Sequence, residues 1–151
     1  MDSLPKKTVA LEQLMPLIRE QLERGKTVTF APRGVSMLPL LRQGKDAVVL
    51  SPVESILNKN DIILYRRDNG RYILHRIVEV GPTYTCMGDN QTDPEYGVCR
   101  QQIIGVVSAV IRQNKRVEIS KPAYRIYCAM LDVLRPMRRF WHTIKRARRN
   151  A

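Results

Sequence analysis

Three residues that together could supply a nucleophile, a general base and an orienting carboxylate occur in order along this chain. Ser36 lies in Gly34-Val35-Ser36-Met37-Leu38-Pro39, His75 in Leu74-His75-Arg76, and Asp89 in Met87-Gly88-Asp89-Asn90. A serine in a glycine-containing break between strands can present its hydroxyl at an irregular turn. Backbone N–H groups there, free of any strand ladder, can point to where an oxyanion forms. A histidine supplies a general base, and a carboxylate can hold its tautomer. Each residue also has a plainer reading. Ser36 is then a turn former, His75 a core residue flanked on its face by Ile73 and Ile77, and Gly-Asp-Asn an ordinary turn.

These residues need elements to position them. Leu11, Leu14, Met15, Ile18 and Leu22 recur at three- and four-residue spacing, which predicts a helix stopped by Gly25. Pro16 is a candidate kink. Strands are expected at Thr27–Phe30, Ala47–Leu50, Asp61–Tyr65, Arg71–Val80, Thr83–Met87 and Ile103–Ile111. Asp68-Asn69-Gly70 is a hairpin signal. Six or so short strands separated by turns predict a mainly β fold, a small coiled mixed sheet or barrel-like domain. The expected organisation is an N-terminal helix over 1–26, a β domain over 27–121 and a basic helical tail over 122–151.

The chain has 151 residues, a length that favours one domain with a real core. No apolar run reaches the ~18 residues of a membrane-spanning helix, and the first residues lack a secretion-signal pattern. Cys86, Cys99 and Cys128 are unclustered, giving neither a disulfide framework nor a metal knuckle. They read as ordinary thiols of a reducing compartment, so a cytoplasmic location is expected.

The net charge of +12 is unevenly placed. Residues 1–111 carry +2 and residues 112–151 carry +10. From Pro122 onward, Tyr127, Met130, Leu131, Leu134, Met137, Trp141 and Ile144 line one helical stripe, with most Arg and Lys elsewhere. Pro136 leaves one helix and two shorter ones equally open. The stripe either packs on the β domain or lies on an anionic membrane surface. A nucleic-acid role is weaker, because no second helix completes a helix-turn-helix and no aromatic platform is present.

Taken together, G-x-S-M-x-P, L-H-R-I, G-D-N and I-I-G-V-V (residues 103–107) resemble the signal peptidase I superfamily. That superfamily shares its fold with self-cleaving SOS-type repressors. The resemblance covers about residues 27–111. It implies a serine endopeptidase of the histidine type found in archaeal and endoplasmic-reticulum signal peptidases. Ser36 would be the nucleophile, His75 the base, and Asp89 or alternatively Asp93 the acidic partner. Gly34 stands where the usual motif has a serine, leaving backbone donors near Gly34, Ser36 and Met37 to line the oxyanion hole. The second acidic cluster, usually a pair of Asp, reads Asp93-Pro94-Glu95. The implied substrate is an extended peptide or protein paired along a strand edge, with no metal or organic cofactor. The alternative function is a non-catalytic partner-binding module of the same fold.

Overall fold

The structure, a computed structural model, describes residues 10–149. The first nine residues, on which the reading of the N-terminus falls, and the last two lie outside it. Two α-helices flank one sheet among the described residues: α1 (Leu11–Glu23) and α2 (Pro122–Arg149). Between them run β1 (Val28–Phe30), β2 (Asp46–Ser51), β3 (Ile62–Arg66), β4 (Tyr72–Val80), β5 (Tyr84–Met87), β6 (Glu95–Val98), β7 (Ile103–Arg112) and β8 (Lys115–Glu118).

All six expected strands are present, and each pairing is antiparallel. The sheet is therefore not mixed, and it is not closed into a barrel. Its order is β1-β2-β7-β3-β4-β5-β6, with β8 added to β7. The ten-residue β7 is the spine: β2 takes one edge, and β3 and β8 share the other. β6 and β8 were not expected. Their sequences, Glu-Tyr-Gly-Val and Lys-Arg-Val-Glu, lack an apolar run and are recruited by a neighbour's free edge, where tertiary pairing overrides propensity.

The alternation of side chains divides the core in two. One face carries Leu50, Ile62, Leu64, Leu74 and Val107, covered by Met15, Ile18 and Leu22 of α1. The other carries Ile63, Tyr65, Ile77, Cys86, Val98 and Ile103. His75 follows this second face in register, paired with Ile63. Arg76 points the other way, toward α2. Gly105 fits where it does because β7 crosses Leu50 closely: a Cβ there would meet Leu50 Cγ at 2.8 Å.

α2 is one continuous helix of 28 residues with Pro136 inside it. It touches the β domain through Cys128 and Leu131, both buried, and through Tyr124, Arg135 and Arg138. Met130, Leu134, Met137 and Trp141 of the expected stripe are exposed. Packing and exposure thus divide the tail between them. No helix among the described residues is long and apolar enough to cross a membrane.

Candidate active site

The break between β1 and β2 holds Ser36 in a run of tight turns. Gly34 takes φ +94°, a left-handed conformation that favours glycine. Its N–H donates to Gln43 Oε1 at 3.1 Å. Leu38 N–H donates to Val35 O at 3.2 Å and Leu41 N–H to Met37 O at 3.0 Å. Met37 and Leu41 are buried and anchor the loop in the α1-side core. Asp46, also buried, accepts from the backbone N–H of Arg42 at 2.9 Å and from its guanidinium, Nε at 3.0 Å and Nη2 at 2.9 Å. The Arg42 guanidinium holds the Asp46 carboxyl down at about 2. The loop is therefore pinned at both ends. No hydrogen bond among the described residues occupies the N–H of Ser36 or of Met37.

Ser36 and His75 line one recess of about 100 Å³, together with Gly34, Met37, Tyr72 and Ile73. No hydrogen bond joins the two residues. β4 contributes to this recess with the part of the strand that β5 does not cover. β5 pairs with β4 only over Arg76–Val80, so Tyr72–His75 are paired on the β3 side alone.

His75 is buried, with about 5% of its surface exposed. Burial, the largest effect, pushes its imidazole down to about 4; the nearby Arg67 charge pushes the same way, against the Glu95 and Asp89 charges. The ring is thus neutral at physiological pH. Its Nδ1 stands 3.4 Å from the Tyr65 hydroxyl. That hydroxyl donates to Glu95 Oε2 at 2.6 Å. Glu95 in turn accepts from Arg67, Nε at 2.9 Å and Nη2 at 2.9 Å. Burial and the Glu95 hydrogen bond both hold the Tyr65 phenol well above its ordinary range, so it stays protonated. With its hydrogen committed to Glu95, the phenol oxygen can only accept from the ring. This arrangement favours Nδ1–H and leaves Nε2 as the free basic nitrogen.

The two acidic residues expected beside His75 are placed elsewhere. Asp89 is fully buried and takes a two-pronged contact from Arg76, Nε to Oδ1 at 2.7 Å and Nη2 to Oδ2 at 2.8 Å. Tyr127 Oη donates to the same carboxylate at 2.8 Å. Asp89 reaches His75 only as a charge at longer range. Asp93 is exposed and lines a shallow groove against Arg139, His142 and Arg146 of α2. The physical reason is β4 alternation: Arg76, next to His75, faces the opposite side and needs a buried counter-charge, which Asp89 provides.

The Gly-Asp-Asn turn nevertheless serves Ser36. Asn90 N–H donates to Ser36 O at 2.8 Å, and Asn90 Nδ2 donates to Val35 O at 3.2 Å. A Cβ on Gly88 would lie 2.5 Å from Ser36 O. Arg138 of α2 donates to Asp89 O at 2.8 Å, and Arg76 Nη1 donates to Asn60 O at 2.9 Å and to the Tyr124 hydroxyl. Arg76 also lies over the Tyr124 and Tyr127 rings, at 5.2 and 5.7 Å. The helix therefore seals the Arg76–Asp89 pair. Tyr65, Arg67, Tyr124, Tyr127 and Arg138 were not foreseen as part of this assembly; Glu95 was visible in the sequence only as a departure from an Asp pair.

Comparison of the chain with protein-family models, with characterised proteins and with solved structures returns no match.

Proposed function

We propose that the chain is a serine endopeptidase acting on an extended peptide, with Ser36 as nucleophile and His75 as base. The observation that carries this reading is the shared recess: residues from a β1–β2 loop and from mid-β4 meet at one small cavity, beside an uncovered stretch of strand. Substrate backbone would pair with Tyr72–His75 and bring a carbonyl to Ser36. Nε2 of His75 takes the hydroxyl proton as Oγ attacks the carbonyl carbon. The Ser36 and Met37 N–H groups receive the oxyanion. His75 then gives the proton to the leaving amine, and an ester on Ser36 remains. Water, deprotonated by His75, releases the acid and restores the serine. In place of Asp89 or Asp93, Tyr65 and Glu95 hold the imidazole tautomer as positioning residues.

A fluorophosphonate probe tests the reading. Stoichiometric labelling that maps to Ser36 and disappears in Ser36→Ala, with the fold intact, supports it. Absence of labelling in folded protein favours the non-catalytic module. Labelling that survives Ser36→Ala removes the nucleophile assignment.

A further inference from the structure

We infer that α2 is a membrane-surface helix that seats the β domain on an anionic bilayer, independently of any peptidase activity. Ile126, Met130, Val133, Met137 and Trp141 follow one another at three- or four-residue steps, which places them on one face of the helix. Phe140 flanks that stripe. All six are exposed, Phe140 to 67% and Trp141 to 60%. The residues that pack on the β domain, Cys128, Leu131, Arg135 and Arg138, follow the same spacing on the opposite side. The domain therefore covers one face of α2 and leaves its apolar face outward.

Charge selects the occupant. Beyond Arg138 the helix continues with Arg139, Lys145, Arg146, Arg148 and Arg149, all exposed. Residues 112–151 carry +10, so pairing two copies along this helix would oppose two strongly positive segments. An anionic lipid surface complements the charge, while its acyl boundary accepts Phe140 and Trp141. A helix lying in the interface would hold the β domain directly above it.

The chain has one tryptophan, Trp141, which reports directly on this face. The full chain is mixed with vesicles of phosphatidylglycerol and phosphatidylcholine, or of phosphatidylcholine alone, at low and high salt. Binding is read by co-sedimentation and by Trp141 emission. The expected result is pelleting with anionic vesicles, a blue shift of emission, and a salt-resistant fraction. Val133→Ser with Met137→Ser should remove that fraction without changing the lipid-free melting temperature, because both side chains are exposed and neither faces the β domain. Lys145→Gln, Arg146→Gln and Arg149→Gln together should weaken low-salt binding by about fivefold per neutralised residue. No pelleting on anionic vesicles, or equal pelleting on both compositions, overturns the inference. So does a blue shift that grows with protein concentration without lipid, which would mean that a second copy covers the stripe.

Discussion

Gly88 sits so close to Ser36 that a methyl group on its Cα would stand 2.5 Å from Ser36 O and 3.0 Å from Ser36 Cβ. The contact is with backbone, which cannot swing aside like the end of a flexible side chain. Gly88→Ala should therefore push the Ser36 loop away from His75. A destabilisation of about 1–3 kcal/mol is expected from the added carbon. The larger effect should be on the site: a displacement near 1 Å costs on the order of 100-fold in rate. Thermal melting together with probe labelling rates checks this. Labelling at the native rate would show that the loop tolerates the shift.

The Tyr65–Glu95 pair makes a different kind of prediction. Tyr65→Phe removes the hydroxyl that accepts from Nδ1, and loss of a fixed tautomer has cost up to about 10⁴-fold in the serine-protease triad. Glu95→Gln removes a negative charge that raises the His75 pKa, while Arg67 remains. The acid limb of kcat/KM should then move to lower pH. A purely structural role for Glu95 would change stability and leave that limb in place, so the pH profile decides between them.

Much of this arrangement was legible in the sequence, and the exceptions share a cause. The six strands and α1 follow from local pattern, whereas the shared recess of Ser36 and His75 was suggested only by the resemblance of the motifs and by neither residue's own surroundings in the chain. β6 and β8 carry no apolar alternation; only a neighbour's free edge makes them strands. The placement of Asp89 follows from β4 pleating, which sends adjacent His75 and Arg76 to opposite faces. Sequence order supplies a carboxylate after the histidine but does not say which of the two faces it serves. Tyr65 reads as one more core residue of a buried strand, since nothing local marks a phenol whose partner lies 30 positions on. α2 was visible as amphipathic, yet one periodicity could not separate the face that packs from the face that remains outward.

Burial of His75 links stability to pH. The imidazole titrates near 6.5 when free and at about 4 in the folded chain. Between those values the unfolded chain binds the extra proton and the native one does not. Stability is therefore fully present above about pH 6.5 and falls as the pH drops toward 4, by about 2–3 kcal/mol from this residue. Asp46, held at about 2, adds a second loss below its ordinary value of 3.8. Denaturant melts of the native chain and of His75→Gln, compared between pH 7 and 4, isolate the first effect. If His75 is the base of the proposed peptidase, the same burial should place the acid limb of kcat/KM near pH 4 instead of the 6.5 of a free imidazole. A limb at 6.5 would mean that the base is hydrated and not in the buried state of His75.

The Arg76–Asp89 pair should behave as a structural ion pair. Both side chains are wholly buried, and each satisfies the other with two hydrogen bonds. Burial opposes the Arg76 charge, but the Asp89 carboxylate outweighs it and holds the guanidinium above its ordinary range. Removing one partner leaves a buried charge alone, which costs about 3–5 kcal/mol. Asp89→Asn should thus lower the melting temperature sharply and loosen α2, because Tyr127 loses its carboxylate acceptor and the guanidinium packed on Tyr124 loses its counter-charge. Replacing both residues, as in Arg76→Met with Asp89→Leu, should recover part of that loss, since the Arg76 charge goes with its partner and Arg135, which also faces Asp89, keeps Asp132. A carboxylate that oriented His75 would behave otherwise. Asp89→Asn would then preserve the melting temperature while abolishing labelling of Ser36, and the double variant would rescue nothing. Melting curves of the two single variants and the double, with the labelling rate measured at a temperature where each is folded, distinguish the two roles. The geometry predicts a non-additive stability cycle and a labelling rate per folded molecule that changes far less than it does in Tyr65→Phe.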